Sequence, residues 1–278
     1  MANFPTIAIG LPFVHGSGID ADAQAFLTAA GITNATITNA IDRLVKNLKG
    51  TGDLNNSVDL WTRLTAIYPC VGGTSVTNSY NLRNISQYNL TFSGTITYSA
   101  TGFKPNGTNG FADTGIAQNL FSNTNNGMSV YFQENTKRDE VQMGYINRTT
   151  FRVLSFGMAY SSNNKVLWGN KYDESFTTNT YTNVNGLIRI NRTTANQFRL
   201  YRNGSVIETS NVASVSDSNT NTIVIGGQRR SDNNGVQAFS NKTFSYADCM
   251  INGTYSAAEE LTYYNIIQAF QTDLSRNV

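Results

Sequence analysis

Asn203-Gly204 lies between two short segments of alternating apolar and polar residues, and it constrains the chain more tightly than any other dipeptide in it. Both positions accept positive φ, so a two-residue type I′ turn joins Phe198–Arg202 to Ser205–Thr209 as a β-hairpin. The expected register sets Tyr201 opposite Val206, Leu200 opposite Ile207 and Arg199 opposite Glu208. That gives one aromatic–β-branched pair, one apolar pair and one pair of opposite charges. A one-residue slip would turn every side chain to the other face. In this register Phe198, Leu200 and Ile207 face the core, and Arg199, Tyr201, Val206 and Glu208 form the other face. Upstream, Leu187–Arg192 alternates Ile188 and Ile190 with Arg189 and Asn191; downstream, Thr222–Ile225 ends at Gly226-Gly227. The four segments read as an antiparallel meander.

The rest of the chain suits more strands of the same kind. Only 14% of its 278 residues are charged, and Asn, Thr, Ser and Gly supply the polar surface, a composition fitted to sheet faces and turns. With 40% hydrophobic residues the chain can bury one large core and carry a small appendage. A formal net charge of +2, with Lys and Arg scattered, lacks the clustered basic stripe of a nucleic-acid binder. No window approaches the apolar length of a membrane span, and Pro5 and Pro12 break an N-terminal apolar run that no basic residue precedes. The expectation is a soluble protein that is neither inserted in a membrane nor exported through a signal peptide. Cys70 and Cys249, the two cysteines, form no CxxC or Cys/His cluster, which argues against structural zinc. They fit either two buried thiols or a disulfide.

Phe4–Val14 must be extended, because its two prolines and Gly10 exclude a helix. Its Phe4, Ile7, Ile9 and Phe13 either cover the protein's own sheets or dock on a neighbouring subunit. His15, the single histidine, closes this arm and suits no catalytic or metal site. Asp20 caps a helix over Ala21–Ala30 that stops at Gly31, and Thr33 or Asn34 caps a second that runs to Lys49. Ile37, Ile41, Leu44 and Leu48 make one face of that second helix apolar, for packing on the sheets or for a trimerising stalk.

Residues 1–59 therefore read as an arm with two short helices, an attachment and assembly region, ahead of a β domain over 60–278. Strands are expected at Ala66–Val71, Leu90–Tyr98, Gly110–Thr114, Met128–Gln133, Glu140–Asn147, Phe151–Ser155, Lys165–Gly169, the four segments above, and Thr243–Met250. Many short strands without intervening helices specify a mainly β fold, an antiparallel sandwich or barrel. A helix over 256–275 closes the chain. Ser256 and Glu259 form a capping box, and Leu261, Tyr264, Ile267, Phe270 and Leu274 form its apolar stripe.

FRLYRNGSVIE followed by TIVIGG resembles the late strands of concanavalin A-like lectin/glucanase domains, in particular the laminin-G-like branch. The resemblance implies a jelly-roll β-sandwich over 60–278. The segments AFLTAAGITNATITNAIDRLVKNLKG, LWTRLTAIYPCVGGT, LTFSGTITYSATGFKPNGTNGFADTGI and YSAAEELTYYNIIQAFQTDLSRNV resemble a type of tailed-bacteriophage virion protein. That second resemblance implies a structural component of the particle: a head fibre, decoration or tail-fibre subunit, made in the host cytoplasm. Its partners would be other virion proteins and further copies of itself, a trimer among the options.

Glucanases of this fold carry closely spaced carboxylates on one strand for retaining hydrolysis. The six glutamates here include no such spacing, and one histidine supplies no nucleophile–base motif, so no enzyme is expected. The Lys137-Arg138-Asp139-Glu140 run reads as a solvated hairpin end. No cofactor is implied, although Asp113, Asp173, Asp217 and Asp232 are loop carboxylates of the kind that hold Ca2+. Exposed aromatic rings with amide neighbours are the usual instrument for sugars. Trp168, Tyr172, Tyr181, Asn163 and Asn164 are the best such group, with a core position as the competing reading for Trp168. The alternative to a purely structural role is thus a module that recognises carbohydrate on a host surface.

Overall fold

The computed structural model of the chain describes residues 18–55, 57–157, 164–173, 175–176 and 179–278. The arm with Phe4, Ile7, Ile9, Phe13 and His15, and Asn163, lie outside the described residues. Helix α1 is Ala21–Ala30, capped by the Asp20 carboxylate and stopped by Gly31 at φ 66°. Helix α2 is Ala35–Leu48 with Asn34 as its cap, and a short α3 spans Ser75–Ser79. Helix α4, Ala257–Asp273, starts at the predicted capping box, with Ser256 and Glu259 bonded reciprocally.

The strands in chain order are β1 (Ala66–Tyr68), β2 (Thr91–Ser93), β3 (Ile96–Ser99), β4 (Gly102–Pro105), β5 (Phe111–Ala117), β6 (Asn126–Phe132), β7 (Met143–Ile146), β8 (Arg152–Gly157), β9 (Leu167–Asp173), β10 (Ser175–Phe176), β11 (Gly186–Thr194), β12 (Gln197–Arg202), β13 (Ser205–Ser210), β14 (Thr222–Ile225), β15 (Gln228–Arg230), β16 (Val236–Gln237) and β17 (Phe244–Met250). They form two sheets. The first runs β13-β12-β11-β6-β17-β4-β3, with β1 also on β17; the second runs β10-β9-β8-β7-β14-β5-β2, with β15 and β16 attached through β7. All pairings but the parallel β15–β7 contact are antiparallel. Two packed sheets joined by connections that cross between them make a jelly-roll sandwich.

The crossings correct two expectations. Leu90–Tyr98 is two strands, because Gly94 at φ 72° breaks it and sends β2 and β3 to different sheets. Thr222–Ile225 is not the fourth strand of a meander: β14 leaves β13 and inserts between β5 and β7 of the other sheet. The Asn203-Gly204 turn forms, with φ of 49° and 74°. Arg202 then pairs with Ser205 and Tyr201 with Val206, as expected, but a bulge at Ile207 sets Leu200 opposite Glu208 and Arg199 opposite Thr209.

Two hydrophobic cores result. Between the sheets lie Met128, Val130, Phe132, Ile188, Ile190, Phe198 and Leu200 from the first and Met143, Leu154, Phe156, Trp168, Ile223 and Ile225 from the second. The outer face of the first sheet is also covered, by α1, α2 and α4, through Phe26, Ile41, Leu44, Val45, Leu48, Tyr131, Leu187, Tyr246, Ile267 and Phe270. Strand β17 is therefore buried on both faces. Cys70 and Cys249 are buried free thiols. Glu140 is not at a solvated hairpin end: it is fully buried, 3.2 Å from Lys242.

Candidate functional site

Trp168 cannot meet a ligand at the surface. It is 4% exposed between the sheets, with its ring centroid 4.8 Å from that of Phe198. Tyr172 is half-buried under the Arg152 guanidinium at 5.5 Å, and Tyr181 donates its hydroxyl to the Ile207 carbonyl at 3.1 Å. Tyr181 and Asn164 do meet, through a 2.8 Å backbone hydrogen bond, and the Asn164 amide oxygen accepts from Lys137. Of the assembly residues, Ile41, Leu44 and Leu48 are buried in the second core and Ile37 is partly buried against it.

The loop end of the sandwich holds a group of polar residues that the sequence pattern does not reveal. Along β9, Trp168 and Asn170 alternate inward as a strand requires. Tyr172 then pairs with Val153 and Asn170 with Leu154, so Lys171 is the extra residue of a bulge, at φ 57°. A bulge re-aims the side chain it carries. Lys171 turns inward, 3% exposed, and donates to the Gln118 carbonyl at 2.8 Å and to its amide oxygen at 3.3 Å. Burial, with Arg192 nearby, pulls its ammonium down to about 8, against the opposing pull of Asp217.

Behind Lys171 the inner layer of the sandwich is polar. Asn126 of β6 and Asn170 of β9 exchange amide hydrogen bonds at 2.8 and 3.1 Å. Arg192 of β11 donates to the Asn170 carbonyl and, at 2.9 Å, to the Ala195 carbonyl. It is fully buried among neutral acceptors, and burial lowers its guanidinium to about 10.

In front of Lys171 lies an open cavity of about 400 Å³, lined by Asn119, Leu120, the buried Phe121, Ser122, Asn123, Ser216, Asp217 and Ser218. Its walls are held by their own hydrogen bonds. Gln118 donates to the carbonyls of Asp217 and Asn219 at 2.9 and 3.0 Å, the Val215 amide donates to the Lys171 carbonyl at 2.8 Å, and Asn123 donates to Ser216 at 2.6 Å. The Asp217 carboxylate accepts from Asn147 at 3.1 Å and from the Tyr145 hydroxyl at 3.3 Å. Leu120, 46% exposed, adds one apolar surface to the polar rim.

Of the other three carboxylates expected in loops, Asp113 lies within β5 and Asp173 ends β9, and all three have cationic partners: Asp113 pairs with Arg229, Asp173 with Arg152, and Asp232 with Arg230 at 2.5 Å. Among the described residues no group of three or more His, Cys, Asp and Glu side chains could hold a metal ion.

No protein-family model matches the chain, and no curated protein matches it. Its fold is similar to several solved structures. One, described as showing that cell entry of botulinum neurotoxin type C depends on interaction with two ganglioside molecules, has 11% identity and a TM-score of 0.53 over 76% of this chain and 53% of that one. Another, Trypanosoma rangeli sialidase in complex with 2,3-difluorosialic acid, has 15% identity and a TM-score of 0.56 over 89% of this chain and 39% of that one. At such identities the likeness is one of fold, a jelly-roll sandwich.

Proposed function

We propose that this chain is a carbohydrate-binding module that recognises glycans at the loop end of its jelly roll, in the cavity between Lys171 and Asp217. The bulge at Lys171 carries this reading. It brings a buried cation beside a cavity whose rim presents hydroxyls, amides, a carboxylate and one apolar side chain, the mixture of directed polar groups and apolar surface that sugar rings require. The volume falls in the range of about 300–1,000 Å³ usual for ligand pockets. The hydrogen bonds of the 214–221 loop fix those groups before a ligand arrives, which lowers the entropy lost on binding. Support also comes from the similar structures, whose descriptions name gangliosides for the neurotoxin and a sialic acid derivative for the sialidase.

The reading is of a module that binds its glycan, with Asp217 as the carboxylate of the cavity. The test is a glycan array probed with the full chain, followed by calorimetry of the hits. Binding that falls at least tenfold in Asp217→Ala and in Ser216→Ala supports the reading. Hits unaffected by either change, or no hits across the array, count against it. A second reading, a structural subunit of a tailed-phage particle, rests on the phage-like segments, which together cover most of the chain; the module would then be its host-recognition part. Mass spectrometry of purified particles decides that point by the presence or absence of the chain.

A further inference from the structure

The hairpin beside the cavity carries a feature that neutral-sugar binding does not need. Its turn, 147–151, is fixed by Asn147, whose side-chain oxygen accepts from the amides of Thr149 and Thr150 at 3.0 and 3.2 Å while its amide group bonds Asp217. Arg148 is tied through its backbone amide to Ser231 at 2.9 Å. Beyond it stands Phe151, 57% exposed and at φ 55°, a left-handed conformation that bulky residues rarely adopt. Strain of that kind persists where a side chain must be presented in a particular place. The Arg148 guanidinium lies over the Phe151 ring at 5.7 Å, so an aromatic surface and a forked donor are presented together.

Charge at this end of the sandwich is unbalanced. Arg152 is matched by Asp173 and Arg230 by Asp232, and Asp217 faces Lys171. Arg192 has only neutral acceptors, and Arg148 makes no ion pair among the described residues. Five cations thus face three carboxylates, Asp232 being shared between Arg230 and Arg148, and the excess of two lies with Arg192, buried behind the cavity, and Arg148, exposed on the turn whose Asn147 bonds Asp217. In a recess partly shielded from water such an excess favours an anionic ligand.

We propose that the glycan is acidic: its anionic group pairs with the Arg148 guanidinium, its ring packs on Phe151, and the adjoining sugar occupies the Lys171–Asp217 cavity. A planar guanidinium meets a carboxylate or sulfate with two parallel N–H bonds, and an aromatic ring takes the C–H face of a sugar. This inference rests on the carbohydrate-binding reading and narrows it to one ligand class.

Calorimetry with the full chain against matched probes tests it: an oligogalacturonate against its carboxyl-reduced form, and dextran sulfate against dextran. The acidic member of at least one pair binds at least tenfold more tightly than its neutral counterpart, and the pair that shows this identifies the anion. Arg148→Gln abolishes the difference, and Phe151→Ala weakens the acidic member about tenfold. Both side chains are exposed, so thermal unfolding is unchanged in either variant. Equal affinity within both pairs, or a difference that survives Arg148→Gln, overturns the inference while leaving the broader reading intact when the neutral probes still bind through Asp217. Absence of binding by all four probes and by every member of the array overturns both.

Discussion

Glu260 sits under the outer face of the first sheet, 1% exposed, where its carboxylate accepts from Asn191 at 2.6 Å and from Arg189 at 3.2 Å. Arg189 also pairs with Asp248 at 2.8 Å, and its guanidinium lies against the adjacent rings of Tyr255 and Tyr263, 4.9 and 4.8 Å from their centroids. One cation thus serves two carboxylates out of water, and burial pushes Glu260 up to about 7 although Arg189 opposes the shift. A carboxyl raised on folding holds its proton in the folded state where the unfolded chain has lost it. Its contribution to stability is therefore complete below about pH 4.5 and is lost as pH rises through about 7. Urea unfolding from pH 4.5 to 8 should show the wild type losing its margin over Glu260→Gln across that window, since glutamine mimics the protonated acid. A margin that stays constant with pH removes this assignment. Arg189→Met, which strands two buried carboxylates, should cost about 3–5 kcal/mol in the same assay.

At this scale the sequence was a partial guide. The alternation along Leu187–Arg192 correctly turns Ile188 and Ile190 between the sheets, yet Arg189 and Asn191, polar and outward, meet α4 instead of water. The expected stripe of α4 is rotated for the same reason: Leu261 is 51% exposed while Glu260 and Tyr263 are buried. A polar residue that is buried because another element supplies its partner looks like a surface residue in one dimension. Trp168 marks the opposite limit. Trp168→Ala should destabilise the fold by about 3–5 kcal/mol in denaturant unfolding, whereas loss of a surface sugar platform would leave stability unchanged.

Among the elements, helices were the most legible, because their end signals are local. Asp20 and Gly31 bound α1, and Asn34 begins α2, where the residues placed them. The box at the start of α4 adds a charge to this. Glu259 lies 2.6 Å from Arg63, whose bonding holds the carboxyl down at about 2, helped by the Ser256 amide. The sign is opposite to that of Glu260: Glu259 contributes above about pH 4.5 and its contribution is lost as pH falls toward 2. Ser256→Ala should cost about 1 kcal/mol at neutral pH, read from the shift in the urea midpoint. Bulges were not legible. The extra residues at Ile207 and Lys171 arise from pairing with β12 and β8, and a strand's own sequence carries no mark of a partner's length. The candidate site depends on one of them, which is why Asp217 was recognisable as a loop carboxylate while Lys171 was not.

For the whole molecule, composition and strand spacing led to a sandwich or barrel, the resemblance of the hairpin region to lectin/glucanase domains pointed to the sandwich, and crossings such as β14 into the second sheet required the structure. The helices of 21–48 share a core with β17 and α4, and Arg43 bridges α2 to Asp273 of α4 at 2.9 Å. We expect this layer and the sheets to unfold as one cooperative unit. Leu44→Ala should lower stability by about 2–5 kcal/mol and shift the near-ultraviolet and far-ultraviolet circular dichroism transitions together. Separate transitions would make the helical layer an independent unit. The central claim concerns the other end of the molecule, and the most direct measurement is hydrogen exchange of the full chain with and without a saturating glycan taken from the array. Slower exchange confined to 118–123, 147–151 and 214–221, with the helical layer unchanged, is the predicted result; protection confined to the helices, or to the Asn164 and Tyr181 region, would contradict it.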